Sequence, residues 1–132
     1  MRFMLDTNLC IYIIRKKPPQ VLERFKTFRF SEIGISTITL SELEYGISKS
    51  SRPDQNREAL IEFLTPLEIV SFNEKAARYY GEIWAFIEKK GKPVGAMDLL
   101  IASHAISLSV PLVTNDTRGF KGIPGLQIEN WV

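Results

Sequence analysis

The sequence predicts an α/β fold in which a central parallel sheet of four to five strands carries helices on both faces. Short apolar segments alternate along the chain with longer segments whose apolar residues recur at helical spacing. This alternation is typical of parallel sheets, because each crossover helix returns the chain to the same edge. At 132 residues, 45% hydrophobic and 24% charged, the chain is long enough for one domain, residues 1–132, and too short for two.

The predicted strands are short, and the first of them indicates where a site would lie. Its apolar run begins after Arg2 and ends abruptly in Asp6, Thr7 and Asn8. Ligands of open parallel sheets bind just beyond the carboxyl ends of the strands, so this strand carries polar side chains to such a position. The predicted strands are residues 2–6, 32–36, 67–70 and 110–114, with a fifth at 126–128.

Two helices follow the first strand, with Pro18 and Pro19 between them. Thr7 or Asn8 is a suitable N-cap, and the basic residues at 15–17 favour a helix C-terminus. The prolines end this helix because they lack a backbone N–H and clash with the preceding turn. Apolar residues at helical spacing then predict a second helix to about residue 28.

Four more helices are predicted between the remaining strands. Ser36 or Thr37 is a suitable cap for the third helix, and Asn73 begins the longest one, which stops at Gly91. The last of these helices, at residues 97–108, is nearly all apolar, so it must be buried on most sides. These helices cover residues 37–47, 54–64, 73–90 and 97–108.

The cysteine content and the hydropathy exclude several classes of protein. The single cysteine, Cys10, excludes a disulfide framework and a zinc site built on paired cysteines, and it fits a reducing cytoplasm. Polar residues near the N-terminus argue against a signal peptide. No segment approaches the roughly 18 apolar residues of a membrane span, so we expect no membrane association.

Several catalytic mechanisms are excluded by the residues that they require. The only histidine, His104, rules out a two-histidine acid–base site, and no nucleophile is evident beside it for a serine triad. The chain has neither a phosphate-binding Gly-x-x-x-x-Gly-Lys-Ser/Thr loop nor a dinucleotide-binding fingerprint. The mechanism that these residues still allow is catalysis by acidic side chains that hold a hard metal ion.

Four acids are candidates for such a site. Asp6 and Asp116 follow predicted strands, Asp98 lies in the first turn of the apolar helix, and Glu42 lies one to two turns into the third helix. Magnesium prefers oxygen ligands and keeps several waters, so four acids could hold one or two ions, some through water. The metal would lower the pKa of a bound water and offset charge on a phosphate.

Each acid also has a structural explanation. Asp6 and Asp98 are suitable helix caps, and Asp116 occurs in an ordinary turn composition. Glu44 points to nearly the opposite face of its helix from Glu42, so only one of them can serve, and periodicity does not decide which.

Charge is consistent with a phosphodiester substrate. The chain has 17 basic and 15 acidic residues, a net charge of +2, and a cluster of four acids would leave a clear basic excess elsewhere. The residues alone therefore favour hydrolysis of a phosphodiester by a metal-activated water, which would leave 5′-phosphate and 3′-hydroxyl ends. One alternative is a magnesium-dependent phosphatase with Asp6 as nucleophile, although such enzymes want a second Asp where this chain has Asn8. The other is a catalytically silent binding module.

Four motifs, in order along essentially the whole chain, resemble PIN-domain toxins of the VapC type. They are Met4-Leu5-Asp6-Thr7-Asn8, Ser41-Glu42-Leu43 with Tyr45-Gly46, the segment from Pro93 to Ala102 around Asp98, and Val113-Thr114-Asn115-Asp116 with Phe120. The resemblance implies a PIN-like fold and an endoribonuclease that depends on Mg²⁺, with Mn²⁺ as a substitute.

The resemblance also assigns residues and partners. It makes Asp6, Glu42, Asp98 and Asp116 the catalytic, metal-binding acids, and so selects Glu42 over Glu44. It gives supporting roles to Thr7, Asn8, Thr114 and Asn115. It further implies a toxin that forms a homodimer, cuts RNA such as tRNA, and is neutralised by a VapB-like antitoxin, through which alone it would meet operator DNA.

Two surface features suggest contacts with RNA and with a partner. Arg118, close to Asp116, is a candidate for a substrate phosphate, as are the basic residues at 15–17 and 89–92. The helix pair at residues 9–28 is unusually apolar for so small a chain, and such a surface commonly takes a partner helix. We expect the antitoxin to dock there and to place a basic side chain among the acids.

Overall fold

A computed structural model describes every residue from Met1 to Val132. Its five strands form one parallel sheet in the order β3-β2-β1-β4-β5, which confirms the predicted parallel α/β architecture. The strands are β1 (Phe3–Leu5), β2 (Ile33–Ser36), β3 (Glu68–Val70), β4 (Leu112–Val113) and β5 (Ile128–Glu129). The first strand in the chain is therefore the middle strand of the sheet.

All six predicted helices are present, and a short seventh is added. They are α1 (Thr7–Arg15), α2 (Pro19–Lys26), α3 (Thr37–Ser48), α4 (Pro53–Leu64), α5 (Glu74–Lys90), α6 (Ala96–Ser107) and α7 (Thr117–Phe120). The side chains of Ser36 and Asn73 accept N-cap hydrogen bonds at the starts of α3 and α5, as their positions predict. Gly91 ends α5 in a left-handed conformation.

The chain after β4 differs from the prediction. The loop expected there contains α7, because the Asp116 carboxylate accepts a hydrogen bond from the Gly119 N–H and so caps a turn of helix. The predicted fifth strand at 126–128 is displaced to Ile128–Glu129. Gly125 turns the chain at a φ of +81°, and the Leu126 N–H then bonds to the Ile123 carbonyl rather than to a strand.

The two faces of the sheet are covered by separate hydrophobic clusters. Phe3 and Leu5 of β1 belong to one cluster and Met4 to the other, as the period of two along a strand requires. The first cluster includes Leu9 and Ile13 of α1, and the second is built mainly on α5 and α6. A strand buried on both faces must be apolar throughout, so the polar residues of this segment can only follow its end.

The apolar helix α6 is buried along most of its length from Leu99 onwards, as its composition predicts, and its first residues are exposed. Its His104 is 0% exposed, and Nδ1 lies 2.8 Å from the Ser36 hydroxyl oxygen. Burial lowers the pKa of His104, so the ring is a neutral part of the core and not a catalytic base. None of the helices combines the length and the apolarity that crossing a membrane demands.

Candidate metal site at the carboxyl edge of the sheet

The order of the strands brings three segments that carry acids to one edge of the sheet. β1 lies between β2 and β4 and is parallel to both, so the carboxyl ends of all three point the same way. Asp6 directly follows β1, Glu42 lies on the helix after β2, and Asp116 follows β4. The middle of this edge is where ligands of open parallel sheets bind.

Asp6 is both the cap of α1 and a buried carboxylate. Its Oδ1 accepts a hydrogen bond from the Leu9 N–H at 2.9 Å, and the residue is only 4% exposed. Burial raises the pKa of Asp6 to about 6, although hydrogen bonds from the Thr114 hydroxyl and the Leu9 N–H oppose the rise. The negative charges of Asp98 and Asp116 raise it further. The capping role and the role in a charged site therefore coexist.

Glu42 is tied to the segment that carries Asp6. The Thr7 hydroxyl donates to Oε1 of Glu42 at 2.5 Å, so α1 and α3 are joined beside the candidate site. Glu44 instead forms two hydrogen bonds with Arg57 of α4, at 2.7 and 3.2 Å. Since Glu44 already has a cation partner on another face, the geometry supports Glu42 as the acid of the site.

Asp98 has no capping role that would explain its position. The N-cap of α6 is Gly95, and no side-chain capping bond occurs there. Asp98 is partly buried, and burial raises its pKa, with further increases from the charges of Glu42 and Asp116. A carboxylate whose pKa is raised by two other acids, and which has no basic partner, is typical of a functional site.

Thr114 links the two acids that follow strands. It is 0% exposed, its hydroxyl oxygen accepts the Asp116 N–H at 3.0 Å, and its hydroxyl also lowers the pKa of Asp6. Asp116 itself is exposed and caps α7. A supporting role for Thr114 is therefore consistent with its contacts.

The other predicted supporting residues differ in their surroundings. Asn8 is exposed and lines a groove next to Thr7 and Glu42. The Asn115 amide donates to the Tyr12 hydroxyl at 2.9 Å, while its Oδ1 is buried without a partner. Tyr12 was not among the predicted site residues, because an apolar position on α1 gives no sign of a partner 103 residues away.

The four acids lack basic partners. The four salt bridges of the chain involve other carboxylates, namely Glu32, Glu129, Glu44 and Glu82. Charges of one sign that interact at the edge of a sheet without compensation favour binding of a cation.

The donor chemistry of these side chains, which are all oxygen ligands, suits a cation that keeps part of its water shell. No group of three or more His, Cys, Asp and Glu side chains is placed so that it could hold a metal ion on its own. Magnesium keeps several waters and is usually bound by one or two carboxylates, so the remaining acids would act through water. The all-oxygen donor set suits such a hard cation.

Comparison with known proteins identifies the family. The PIN domain family matches residues 3–126. The chain is 47% identical to Ribonuclease VapC2 of Rickettsia felis, over 99% of this chain and 98% of that protein. It is 44% identical to the tRNA(fMet)-specific endonuclease VapC of Salmonella typhimurium, with the same coverage.

Solved structures agree with the sequence relatives. The chain matches the crystal structure of VapBC2 from Rickettsia felis bound to a promoter DNA fragment with a TM-score of 0.92, 45% identity and 100% coverage of both chains. It matches DNA-bound VapBC from Salmonella typhimurium with a TM-score of 0.95 and 44% identity, over 100% of this chain and 99% of that one. The chain therefore belongs to the PIN-domain family, within its VapC ribonuclease branch.

Proposed function

We propose that this chain is a magnesium-dependent endoribonuclease and the toxin of a type II toxin–antitoxin pair. The observation that supports the proposal is that Asp6 and Asp98 each feel the charges of other acids of this sheet edge, Glu42 and Asp116 among them, and that none of the four has a basic partner. The ribonuclease names of relatives at 47% and 44% identity support this activity over a phosphatase or a silent binding module. PIN-domain nucleases generally depend on a divalent metal, and Mn²⁺ could replace Mg²⁺ in an all-oxygen site.

The chain's own residues would hold and orient the ion and its waters. When bound, a divalent cation lowers the pKa of a coordinated water and offsets charge on the phosphate under attack. Asp6 is held by the Leu9 N–H, and Glu42 by the Thr7 hydroxyl, so neither carboxylate must be ordered when the ion arrives. Asp98 and Asp116 add to the negative field, since their charges act on Asp6.

Hydrolysis by water gives a defined product. Attack of water on the phosphorus leaves a 5′-phosphate and a 3′-hydroxyl, whereas attack by the 2′-hydroxyl would leave a cyclic phosphate. Because one relative is named for tRNA(fMet), a tRNA is the substrate class that we propose for this chain.

A VapB-like antitoxin is the partner that fits the surface beside the acids. An open groove of about 530 Å³ lies between α1, α3 and α4, and its lining includes Thr7, Glu42 and the apolar residues Ile11 and Ile14. A second groove of about 450 Å³ lies between α1, α2 and α4 and includes Phe25 and Phe63. An antitoxin helix in these grooves could place a basic side chain next to Glu42 and displace the metal.

Further partners follow from the same proposal. Trp84 of α5 is 51% exposed and packs on Tyr80, and an aromatic surface of this kind supports a homodimer. We propose that operator DNA is contacted through the antitoxin and not by this chain. A cytoplasmic location is expected of a toxin that acts on tRNA.

Mapping of cleavage sites on total RNA tests the activity. With magnesium, the wild-type chain should cut a small set of RNAs and leave 5′-phosphate ends, while a chelator or the Asp98→Ala substitution should remove these cuts. Products ending in a cyclic 2′,3′-phosphate, or cuts that persist in chelator, would contradict the proposal.

The pair Glu42 and Glu44 provides a matched control. Both lie on α3, but only Glu42 is hydrogen-bonded to Thr7, whereas Glu44 pairs with Arg57. Glu42→Gln should reduce the cleavage rate by about 100-fold, and Glu44→Gln should leave it near the wild-type value. Equal losses in the two variants would count against Glu42 as a residue of the site.

A further inference from the structure

A basic pocket next to the candidate metal site is formed by two segments that are distant in sequence. It has a volume of about 580 Å³ and is lined by residues from 92–94, between α5 and α6, and from 118–122, around α7. Three of its lining side chains are cations, Lys92, Arg118 and Lys121. The sequence places these cations in two separate clusters, and only the fold brings them together.

None of the three cations is neutralised by the chain. All are exposed, and none takes part in any of the four salt bridges. Lys90, from the same basic run as Lys92, has a different environment, because its Nζ lies 5.5 Å from the centre of the Phe86 ring. The pocket therefore presents a local concentration of unpaired positive charge.

Each wall of the pocket leads directly to an acid of the candidate site. Gly119 lines the pocket, and its N–H donates to Asp116 at 3.1 Å. On the other wall, Val94 lies four residues before Asp98, and the intervening Gly95 is the N-cap of α6. Of the four acids, Asp98 and Asp116 would therefore lie nearest to an anion in this pocket.

The two walls are packed against one another. A Cβ atom at Gly122 would lie 3.3 Å from Cδ and 3.6 Å from Nζ of Lys92, so this lysine extends along the Gly122 backbone. A substituent at Gly119 would lie 2.5 Å from Oδ2 of Asp116. Glycine at both positions thus keeps Lys92 and Asp116 close to the backbone of the loop around α7.

We propose that Lys92, Arg118 and Lys121 bind a backbone phosphate of the RNA that flanks the bond to be cut. The inference rests on the proposed nuclease function and adds a subsite that positions the substrate. RNA fits better than an acidic protein segment because the positive charge adjoins acids that require a metal. A polyanion held there would place its next phosphodiester towards that metal.

Binding of RNA at several salt concentrations tests the subsite. The probe is a fluorescent single-stranded RNA, and the protein carries Asp6→Asn so that binding is measured without cleavage. Lys92→Gln and Lys121→Gln should each weaken binding about three- to fivefold at low salt. Together the two substitutions should reduce the slope of log affinity against log salt by up to about 0.7, the value for one phosphate contact on a single strand, and each alone should give part of that reduction.

Lys90→Gln is the matched control, because it removes the same charge two residues from Lys92 and outside the pocket. Its salt slope should stay at the wild-type value, and Lys92→Arg should restore binding. An equal loss in Lys90→Gln and Lys92→Gln would overturn the subsite in favour of a diffuse basic surface. Variants that bind RNA normally but lose the antitoxin would overturn it as well.

The subsite and the nuclease function can fail separately. RNA cleavage by the wild-type chain, with unchanged salt slopes in the pocket variants, would overturn the subsite alone. Reduced slopes in these variants, together with no metal-dependent cleavage by the wild type, would support the subsite and overturn the nuclease.

A single neutral methylphosphonate, moved along the RNA, locates the contact. It should weaken wild-type binding at one or two positions next to the cut, and Lys92→Gln should reduce that effect, because only Arg118 and Lys121 then contact the phosphate. Equal sensitivity of both proteins at every position would contradict the assignment.

Discussion

Replacement of Asp6 by asparagine is expected to reduce RNA cleavage by at least about 100-fold without destabilising the metal-free chain. Asparagine keeps an oxygen that can accept the Leu9 N–H and cap α1, but it removes a charge that is buried near Asp98 and Asp116. Cleavage is measured with magnesium, and stability by thermal unfolding in chelator. Magnesium should raise the melting temperature of the wild type and not that of the variant.

The difference in stability between Asp6→Asn and the wild type should depend on pH in a defined direction. The pKa of Asp6 is about 6 in the folded chain and 3.8 in the reference state, so the folded state binds more protons between these values. The unfolding free energy of the wild type therefore falls as pH rises through this range, by about 3 kcal/mol for a shift of this size. The gain in unfolding free energy of Asp6→Asn over the wild type should therefore grow from pH 4 to pH 6 and stay constant above pH 6.

Two controls separate this effect from others. Because the pKa of His104 is lowered from 6.5, the chain also loses stability as the pH falls below 6.5. This contribution is the same in both proteins and cancels in the comparison. Asp54→Asn, at an exposed acid in the first turn of α4, is the matched substitution outside the candidate site, and an equal pH-dependent gain there would mean that the effect is not specific to Asp6. A melting temperature that drops sharply in Asp6→Asn would instead mean that Asp6 serves mainly as a cap.

Introduction of a tryptophan at Gly46 is expected to block the antitoxin while the toxin still folds. Gly46 lies on α3 and lines the groove beside Thr7 and Glu42, and nothing lies within 4 Å of the position of an added Cβ. A large side chain there would occupy the space that a partner helix needs. We expect at least a tenfold loss of antitoxin affinity, about 1.4 kcal/mol, measured by calorimetry and by inhibition relative to the variant's own activity.

Gly81→Trp is the matched control for this experiment. Gly81 also lies within a helix, α5, and an added Cβ there meets nothing within 4 Å, but the position is outside the grooves. Inhibition should persist in Gly81→Trp. Full inhibition of Gly46→Trp would place the antitoxin elsewhere, and so would inhibition by an antitoxin that lacks its C-terminal segment.

Local signals in the sequence were sufficient for most of the fold. β1 is fully buried and α6 is buried along most of its length, so their apolar runs identify them directly. The prolines before α2 and the asparagine that caps α5 mark boundaries by chemistry that does not depend on tertiary contacts. The short helix α7 was missed because a four-residue helix depends on one capping bond, from Gly119 to Asp116, and not on periodicity.

The candidate site was less accessible to local reasoning. Residue spacing could not choose between Glu42 and Glu44, because the choice depends on Thr7 and Arg57, which lie on other helices. The sequence made Asp6 and Asp98 suitable caps and placed Asp116 in a turn; in the structure Asp6 and Asp116 cap helices, and Asp98 does not. Lys92 and Arg118 are neighbours only through the packing of two loops, a relation that no local pattern encodes.

The hydrogen bonds that hold Asp6 have a consequence for how quickly the toxin can act. A carboxylate already held by the Leu9 amide and buried beside Thr114 loses little conformational freedom when a cation arrives. Activation then requires diffusion of an ion and not refolding of the chain. The delay between loss of the antitoxin and the first cut would be set by how fast the inhibitor leaves or is degraded.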